Sequence, residues 1–350
     1  MEPVRGWPRV EDVTWLGLDE PSDVGAARRA AEGLADRLGL SAARVADVGL
    51  AVTEIATNVH RHGGGGALLL RAARTDASAS VEVVALDSGA GIADIGAARR
   101  DGNSTAGTLG IGLGAIDRLA DSLEIRSSAG RGTVLVARFD PRARRSGQPS
   151  EAAPATPDAA GITRPLAGEQ VCGDAYAVRT DGTKLVLMLC DGSGHGPLAA
   201  AASQAAVRAF LDDGDALSRP EDAVRRIHAV LAGTRGGAVA VAELDPVGQV
   251  VHFVGVGNIA GTLVQGDQRR GMVSIGGVAG FRAPTIRTFT YPLSPGAVVV
   301  MTSDGVRSGW DPAALYGAGE RSPLMLAATV MRDAGVRHDD ASVLVGRVGP

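Results

Sequence analysis

The chain has 350 residues, comfortable for two domains and long for one. At 45% hydrophobic but only 3% aromatic, it can bury two cores that must be built from Ala, Val, Leu and Ile. The formal net charge of −4 excludes the basic excess of a nucleic-acid-binding surface, and two cysteines, Cys172 and Cys190, exclude a disulfide framework or a CxxC zinc pair.

Residues Met1–Glu20 mix acidic, polar and apolar side chains, unlike a signal peptide. No run of about 18 apolar residues offers a membrane span, so the expectation is a cytoplasmic protein in a reducing compartment. Two helices come next. Ser22 is the expected cap of the first, whose apolar stripe is Val24, Ala27, Ala31, Leu34 and Leu38, with Gly39 as its stop. Ser41 is the expected cap of the second, with the stripe Val45, Val48, Val52, Ile55 and Val59. Strands are predicted over Ala67–Arg74 and Val81–Leu86, then a glycine-rich loop, a helix through Ala115–Leu119, and strands over Ser122–Ser127 and Thr133–Phe139. From Arg142 the composition shifts to prolines and small polar residues without apolar period, which reads as a linker. The predicted organisation is a domain over 1–141, a linker over 142–160 and a second domain over 161–350. The second half is richer in strands: Lys184–Cys190, Ala238–Leu244, Val250–Val256, Ala297–Thr302 and Ser342–Val348, with helices near Leu198–Leu211 and Pro220–Leu231.

On the second helix Glu54, Asn58 and His62 recur every four residues, along one face at the edge of the apolar stripe. The amide oxygen is a hard metal ligand and the carboxylate can polarise a nucleophile, so the pair suits a Mg²⁺–phosphate site. Alone it reads equally well as a polar helix edge. Asp87 ends an apolar strand in Leu86-Asp87-Ser88-Gly89-Ala90-Gly91-Ile92, where it can accept from an exocyclic amine such as adenine's, and Gly89 and Gly91 let the backbone pass close to a ligand. Gly107-Thr108-Leu109-Gly110-Ile111-Gly112-Leu113-Gly114 then enters a helix, and such amides suit phosphate oxygens. It lacks the Gly-Lys-Ser/Thr ending of a Walker loop. In this order the features resemble the GHKL ATPase superfamily, and within it the small anti-sigma and switch kinases of bacterial partner-switching pathways, over about Glu20–Asp140. Gly130-Arg131-Gly132-Thr133 matches the family's last box. The resemblance implies a Bergerat α/β sandwich that binds ATP with Mg²⁺. Asn58 would ligate the ion, Glu54 would be the general base and Asp87 would read adenine. His62, Gly89, Gly91, Gly107, Gly110, Gly112, Gly114 and Thr133 would complete the nucleotide site.

In the second half, acidic residues stand at strand ends or turns in Gly173-Asp174, Asp191-Gly192-Ser193-Gly194-His195-Gly196, Ser303-Asp304-Gly305 and Asp339-Asp340-Ala341-Ser342. Any one of these reads equally well as an Asp-Gly turn. Several converging carboxylates would repel one another unless a cation compensated, and all-oxygen ligands suit Mg²⁺ or Mn²⁺. Two such ions would acidify a water and hold a phosphoryl oxygen. The set resembles the type 2C metal-dependent phosphatases, in the bacterial branch typified by the stage II sporulation phosphatase, over about Gly161–Val348. That implies an αββα sandwich in which Asp174, Asp191, Asp304 and Asp339 are catalytic metal ligands and Gly192 offers its carbonyl. Asp340 falls where relatives carry Asp or Asn, and Gly257-Asn258 matches a structural turn. His195 lies four residues after Asp191, and packing and proton transfer are both open to it. Cys172 and Cys190 read as buried small hydrophobes rather than ligands.

Together the resemblances imply a bifunctional partner-switching regulator. One half would phosphorylate, or bind, a STAS-domain anti-anti-sigma protein, and the other would remove phosphate from phosphoserine or phosphothreonine on such a protein. The rival reading makes the first domain a non-catalytic ATP sensor or a sigma-factor-binding module. A purely structural scaffold fits poorly with four aligned carboxylate sites. No nucleic-acid or membrane partner is expected. The first sheet is expected to be mixed, with its helices on one face.

Overall fold

The computed structural model describes residues 9–75, 78–99, 112–141, 159–212, 219–283, 285–311, 315, 321–336 and 338–348. Two compact units, Met1–Ala155 and Thr156–Pro350, divide the chain. Among the described residues no helix is long and apolar enough to cross a membrane.

The first unit runs β1 (Arg9–Gly17), α1 (Pro21–Arg37), α2 (Ala42–His62), β2 (Gly66–Arg74), β3 (Ala79–Asp87), α3 (Ile95–Arg99), α4 (Leu113–Leu119), β4 (Ser122–Ser128) and β5 (Gly132–Phe139). Its sheet has the order β1-β2-β3-β5-β4. Every neighbouring pair is antiparallel, which corrects the expected mixed sheet. The reason lies in the connections. The α1–α2 hairpin crosses the sheet twice, so β2 returns antiparallel to β1. β4 turns straight back into β5, which inserts beside β3 and keeps the like-directed β3 and β4 apart. Ala27, Ala31 and Leu34 of α1 and Val48, Val52, Ile55 and Val59 of α2 form one core with Leu68, Leu70, Val81 and Val83 of the sheet. Ser41 caps α2 as expected, accepting from the Arg44 N–H at 3.4 Å. The cap of α1 is Glu20 rather than Ser22. Pro21 has no N–H to lose and fits the first turn, which moves the start forward, and the Glu20 N–H donates to Asp23 at 2.8 Å.

Arg44 is 4% exposed and ties the unit together. It donates to the carbonyls of Leu119 at 2.9 Å and Asp140 at 3.2 Å and pairs with Asp121. Arg44→Ala would take the opposite charge away from the Asp121 carboxylate, which keeps the Asp140 N–H at 2.7 Å, with an expected loss of about 3 kcal/mol, read as a lower denaturation midpoint of the first unit.

The second unit runs β6 (Ala159–Arg164), β7 (Asp174–Asp181), β8 (Lys184–Gly192), α5 (Pro197–Leu211), α6 (Pro220–Leu231), β9 (Gly237–Asp245), β10 (Val250–Val256), β11 (Ala260–Gln265), β12 (Gln268–Met272), β13 (Ser274–Ile275), β14 (Phe289–Pro292), β15 (Val298–Thr302), α7 (Pro323–Ala334) and β16 (Ala341–Arg347). One sheet has the order β13-β10-β9-β8-β7, with β14 also on β10, and the other β12-β11-β15-β16-β6. The sheets face each other through β6, β7, β8 and β16, with α5 and α6 outside one and α7 outside the other. This is the expected αββα sandwich. Gly161 marks the close approach of the sheets: a β-carbon there would stand 2.7 Å from the Tyr176 ring, and the Tyr176 hydroxyl donates to the Gly161 carbonyl at 2.9 Å.

β6 corrects the end of the expected 142–160 linker, whose residues through 158 lie outside the described ones. Small residues that read as linker pack between elements instead. Ala159 and Ile162 are buried, and the strand pairs with β16.

Candidate functional site

Each unit gathers its polar motif residues at one end of its sheet. In the first unit Asp87 ends β3 and is only 9% exposed. Its Oδ1 accepts from the Gly89 N–H at 3.0 Å and the Thr133 N–H at 3.1 Å. No hydrogen bond to Oδ2 is found among the described residues, which leaves an oriented acceptor. Gly132, at φ +74°, passes so close that a β-carbon would stand 2.1 Å from the Asp87 carbonyl oxygen, so only glycine serves there. Ser127, read from the sequence only as the end of a strand, completes the frame. Its hydroxyl accepts from the Ile92 N–H at 2.7 Å, donates to the Gly132 carbonyl at 3.1 Å and lies 3.0 Å from the Thr133 hydroxyl. It thereby joins the Gly91 loop to the Gly132–Thr133 turn.

Glu54 and Asn58 are half-buried on α2, while His62, on its last turn, is exposed. Burial raises the Glu54 carboxyl above the usual range, against the opposing pull of Arg61. Gly89 packs against the chain at His62 and Gly63, since its β-carbon would stand 2.5 Å from the His62 carbonyl oxygen. The α2 end and the Asp87 loop therefore form one wall. Gly112 is the N-cap of α4 and Gly114 is buried within it. Gly107 and Gly110 lie outside the described residues. The residues present fit a nucleotide through Asp87's oriented oxygen, and Asn58 and Glu54 are the groups that would face its Mg²⁺.

In the second unit two antiparallel strands place Asp174 directly opposite Asp191. From the facing sheet come Asp304, just past β15, and Asp339 and Asp340, just before β16; these strands are paired neighbours. Asp174 is 4% exposed. The Ser303 and Ser342 hydroxyls lie near enough to ease its charge, but neither meets it with hydrogen-bonding geometry, so both its oxygens are buried without a partner. Burial first, then repulsion from Asp340 and Asp304, raises its proton affinity. The Asp191 carboxyl is raised by burial, then by Asp174, Asp304, Asp339 and Asp340. Five carboxylates thus share one electrostatic field.

Among the described residues no three His, Cys, Asp or Glu side chains close into a ready-made metal cage. The fold supplies convergence, and the orphaned oxygens of Asp174 with mutual repulsion at Asp191 are what hard cations would relieve. Of the adjacent pair, Asp339 is exposed and Asp340 buried. Asp340 bridges the sheets by accepting from the N–H groups of Leu166 and Gly173, both at 2.8 Å. The Gly257-Asn258 turn also acts on the site, for the Asn258 amide donates to Asp304 at 2.7 Å. Gly192 is buried and follows Asp191 within β8. His195, for which packing and proton transfer were both open, is exposed and 2.7 Å from Glu169, a position that does not pack it into the core. Cys190 is buried, with its thiol pushed up by burial, as a small hydrophobe should be. Cys172, two residues before β7, is only half-buried, contrary to expectation.

Comparison with known proteins bears on both sites. Residues 18–139 match the histidine kinase-like ATPase domain family, and residues 181–349 match the stage II sporulation protein E family. Over 115 residues the chain is 34% identical to serine/threonine-protein kinase RsbT of Bacillus subtilis (strain 168), a stretch covering 33% of this chain and 86% of that protein. A solved structure described as "The bacterial stressosome: a modular system that has been adapted to control secondary messenger signaling" is 27% identical, with 54% of this chain and 98% of that chain covered and a TM-score of 0.50. The crystal structure of RsbX in complex with magnesium is 18% identical, covering 55% of this chain and 94% of that one with a TM-score of 0.48. All the first-unit motif residues fall inside the matched span, whereas Asp174 lies just ahead of the second span. By its first unit the chain belongs to the histidine kinase-like ATPase family, with RsbT among its relatives, and that unit is joined to a phosphatase domain of the stage II sporulation protein E type.

Proposed function

We propose that the chain is a bifunctional regulator of a cytoplasmic partner-switching pathway. The second unit hydrolyses phosphoserine or phosphothreonine on a STAS-type anti-anti-sigma protein with two Mn²⁺ or Mg²⁺ ions. The first binds ATP with Mg²⁺ and phosphorylates a serine or threonine on such a protein. The observation that carries the reading is the convergence of Asp174 and Asp191 from one sheet with Asp304 and Asp339 from the other, around a carboxylate buried without a partner. Those four aspartates and the Gly192 carbonyl would hold the ions, which supply an acidified water and neutralise the phosphoryl oxygens. Asp340 is assigned a positioning role, because it is buried and each of its oxygens holds a backbone amide that ties the ends of the two sheets together. Similarity to RsbT and a retained, partly buried Glu54 favour phosphate transfer by the first unit over ATP sensing alone.

The phosphatase test is hydrolysis of p-nitrophenyl phosphate by the full chain. Turnover is expected with Mn²⁺ or Mg²⁺ and its loss in excess EDTA; undiminished turnover in EDTA overturns the metal mechanism. For the first unit, radiolabel should pass from ATP to a STAS protein. Binding of ATP and a sigma factor without transfer would make the unit a sequestering module instead.

A further inference from the structure

Three of the chain's five phenylalanines, Phe139, Phe210 and Phe253, are buried and Phe289 is half-buried, but Phe281 is 66% exposed. A ring left in water on a chain this poor in aromatics is the informative exception. Its backbone is held firmly. Val278 and Arg282 exchange two backbone hydrogen bonds, at 2.8 and 2.9 Å, and the Phe281 N–H donates to the Val278 carbonyl at 3.1 Å. Ala279 is buried and exchanges two more with Gly237, at 2.8 and 3.1 Å. The Gly280 N–H donates to Nδ1 of His228 on α6 at 3.0 Å. The turn is therefore clamped to β9 and to α6 while its ring stays in solvent.

The clamp sets the ring beside the loop that follows Asp191. Phe281 lies against Gly236, where a β-carbon would stand 2.9 Å from the ring Cδ2. The Gly236 carbonyl accepts from the Ser193 N–H at 3.0 Å. That bond continues the β8–β9 ladder, in which Asp191 faces Ala238 and Gly192 faces Gly237. Gly236 is thus two residues along from the Asp191 pair, about 7 Å at the rise of a strand. An extended peptide covers that distance in two or three residues. Val278, 38% exposed, opens the same turn and widens its apolar surface.

A phenyl ring can bury at most about 250 Å², far below the roughly 1,200 Å² of a stable protein interface. The turn is too small to hold a second copy or a lasting partner. It suits a short segment held only while its phosphoryl group reacts, and a ring already fixed by its turn loses little freedom on contact. We propose that Phe281, with Val278 beside it, is a specificity anchor of the phosphatase site. It receives an apolar side chain two or three residues from the phosphoserine or phosphothreonine of a polypeptide substrate. The proposal rests on the phosphatase reading above.

The test uses the full chain with Mn²⁺ and three substrates. These are p-nitrophenyl phosphate, a phosphoserine peptide with leucines two and three residues to either side, and the same peptide with serines in their place. Wild type is expected to favour the leucine peptide about tenfold in kcat/KM, mainly through KM. Phe281→Ser should bring the two peptides within twofold of each other, with p-nitrophenyl phosphate turnover and melting temperature unchanged. Phe281→Leu, which keeps an apolar side chain, should retain part of the preference. Val247→Ser, on a 78% exposed residue in the turn at the far end of β9, should leave it intact. Equal turnover of both peptides by wild type overturns the proposal, as does a preference that survives in Phe281→Ser. Loss of p-nitrophenyl phosphate turnover in Phe281→Ser makes the ring structural and also overturns it. So does a dimer in sedimentation that Phe281→Ser dissociates while the peptide preference stays, which would give the turn to a second copy. Wild-type protein without metal-dependent turnover of p-nitrophenyl phosphate removes the phosphatase reading itself, a result that needs no variant and no peptide.

Discussion

Asp191→Ala is expected to lower metal-dependent phosphatase turnover by roughly a hundredfold or more, about 3 kcal/mol of barrier. Asp191 faces Asp174 across the β7–β8 ladder and feels Asp304, Asp339 and Asp340 from the opposite sheet. Removing it takes away one of the oxygen donors on which both ions would rest. Asp304→Ala is expected to behave alike, although Asp304 is exposed, because Asn258 holds it in place at 2.7 Å. Stability should move differently. Burial and repulsion already disfavour charge on Asp191, so the metal-free Asp191→Ala chain should melt at the wild-type temperature or above it. A functional carboxylate held against its neighbours gives lost turnover with retained stability. A carboxylate placed for packing gives the reverse. Denaturation in EDTA alongside turnover in Mn²⁺ separates them, and wild-type turnover in either variant would sink the ligand assignment.

Much of this architecture was legible because it repeats. The α2 stripe recurs with helical period, and four of its five residues are buried. The β8 run Lys184–Cys190 is bounded by a polar start and an Asp-Gly end. Elements were missed where period gives no signal. Helix α7 buries Pro323 through Met331 without a break, so it has no polar face to mark helical spacing. β1 is an edge strand dense in charge, and the strand register of β6 is hidden in small residues. At the sites, the acidic and glycine positions were readable because chemistry demands those residue types. Their supports were not. Nothing in Ser127 announces that it accepts from Ile92, 35 residues away, and nothing in Asp340 announces amides 167 and 174 residues distant. The choice between neighbours such as Asp339 and Asp340 is made by tertiary contact alone.

Asp87→Asn is expected to weaken ATP binding to the chain by about ten- to a hundredfold, the worth of a hydrogen bond to a charged group. The geometry fixes the direction. One oxygen of Asp87 is committed to two backbone donors, Gly89 at 3.0 Å and Thr133 at 3.1 Å. In the asparagine variant the amide oxygen must keep that place, since an NH₂ group there would face two N–H donors. The NH₂ is then turned to where Oδ2 stood. Adenine's exocyclic amine would meet a donor instead of an acceptor, whereas a 6-oxo purine would meet the donor it needs. The variant should therefore lose its preference for ATP over inosine triphosphate, a change that general damage to the pocket would not produce. Asn58→Ala should act elsewhere, weakening the Mg²⁺ dependence of binding while leaving the choice of base intact. Calorimetric titration of wild type and both variants with each nucleotide, with and without Mg²⁺, reads all of these quantities. Equal loss of both nucleotides in Asp87→Asn would remove Asp87 from base recognition, and no heat of ATP binding to the wild-type chain would remove the nucleotide site altogether.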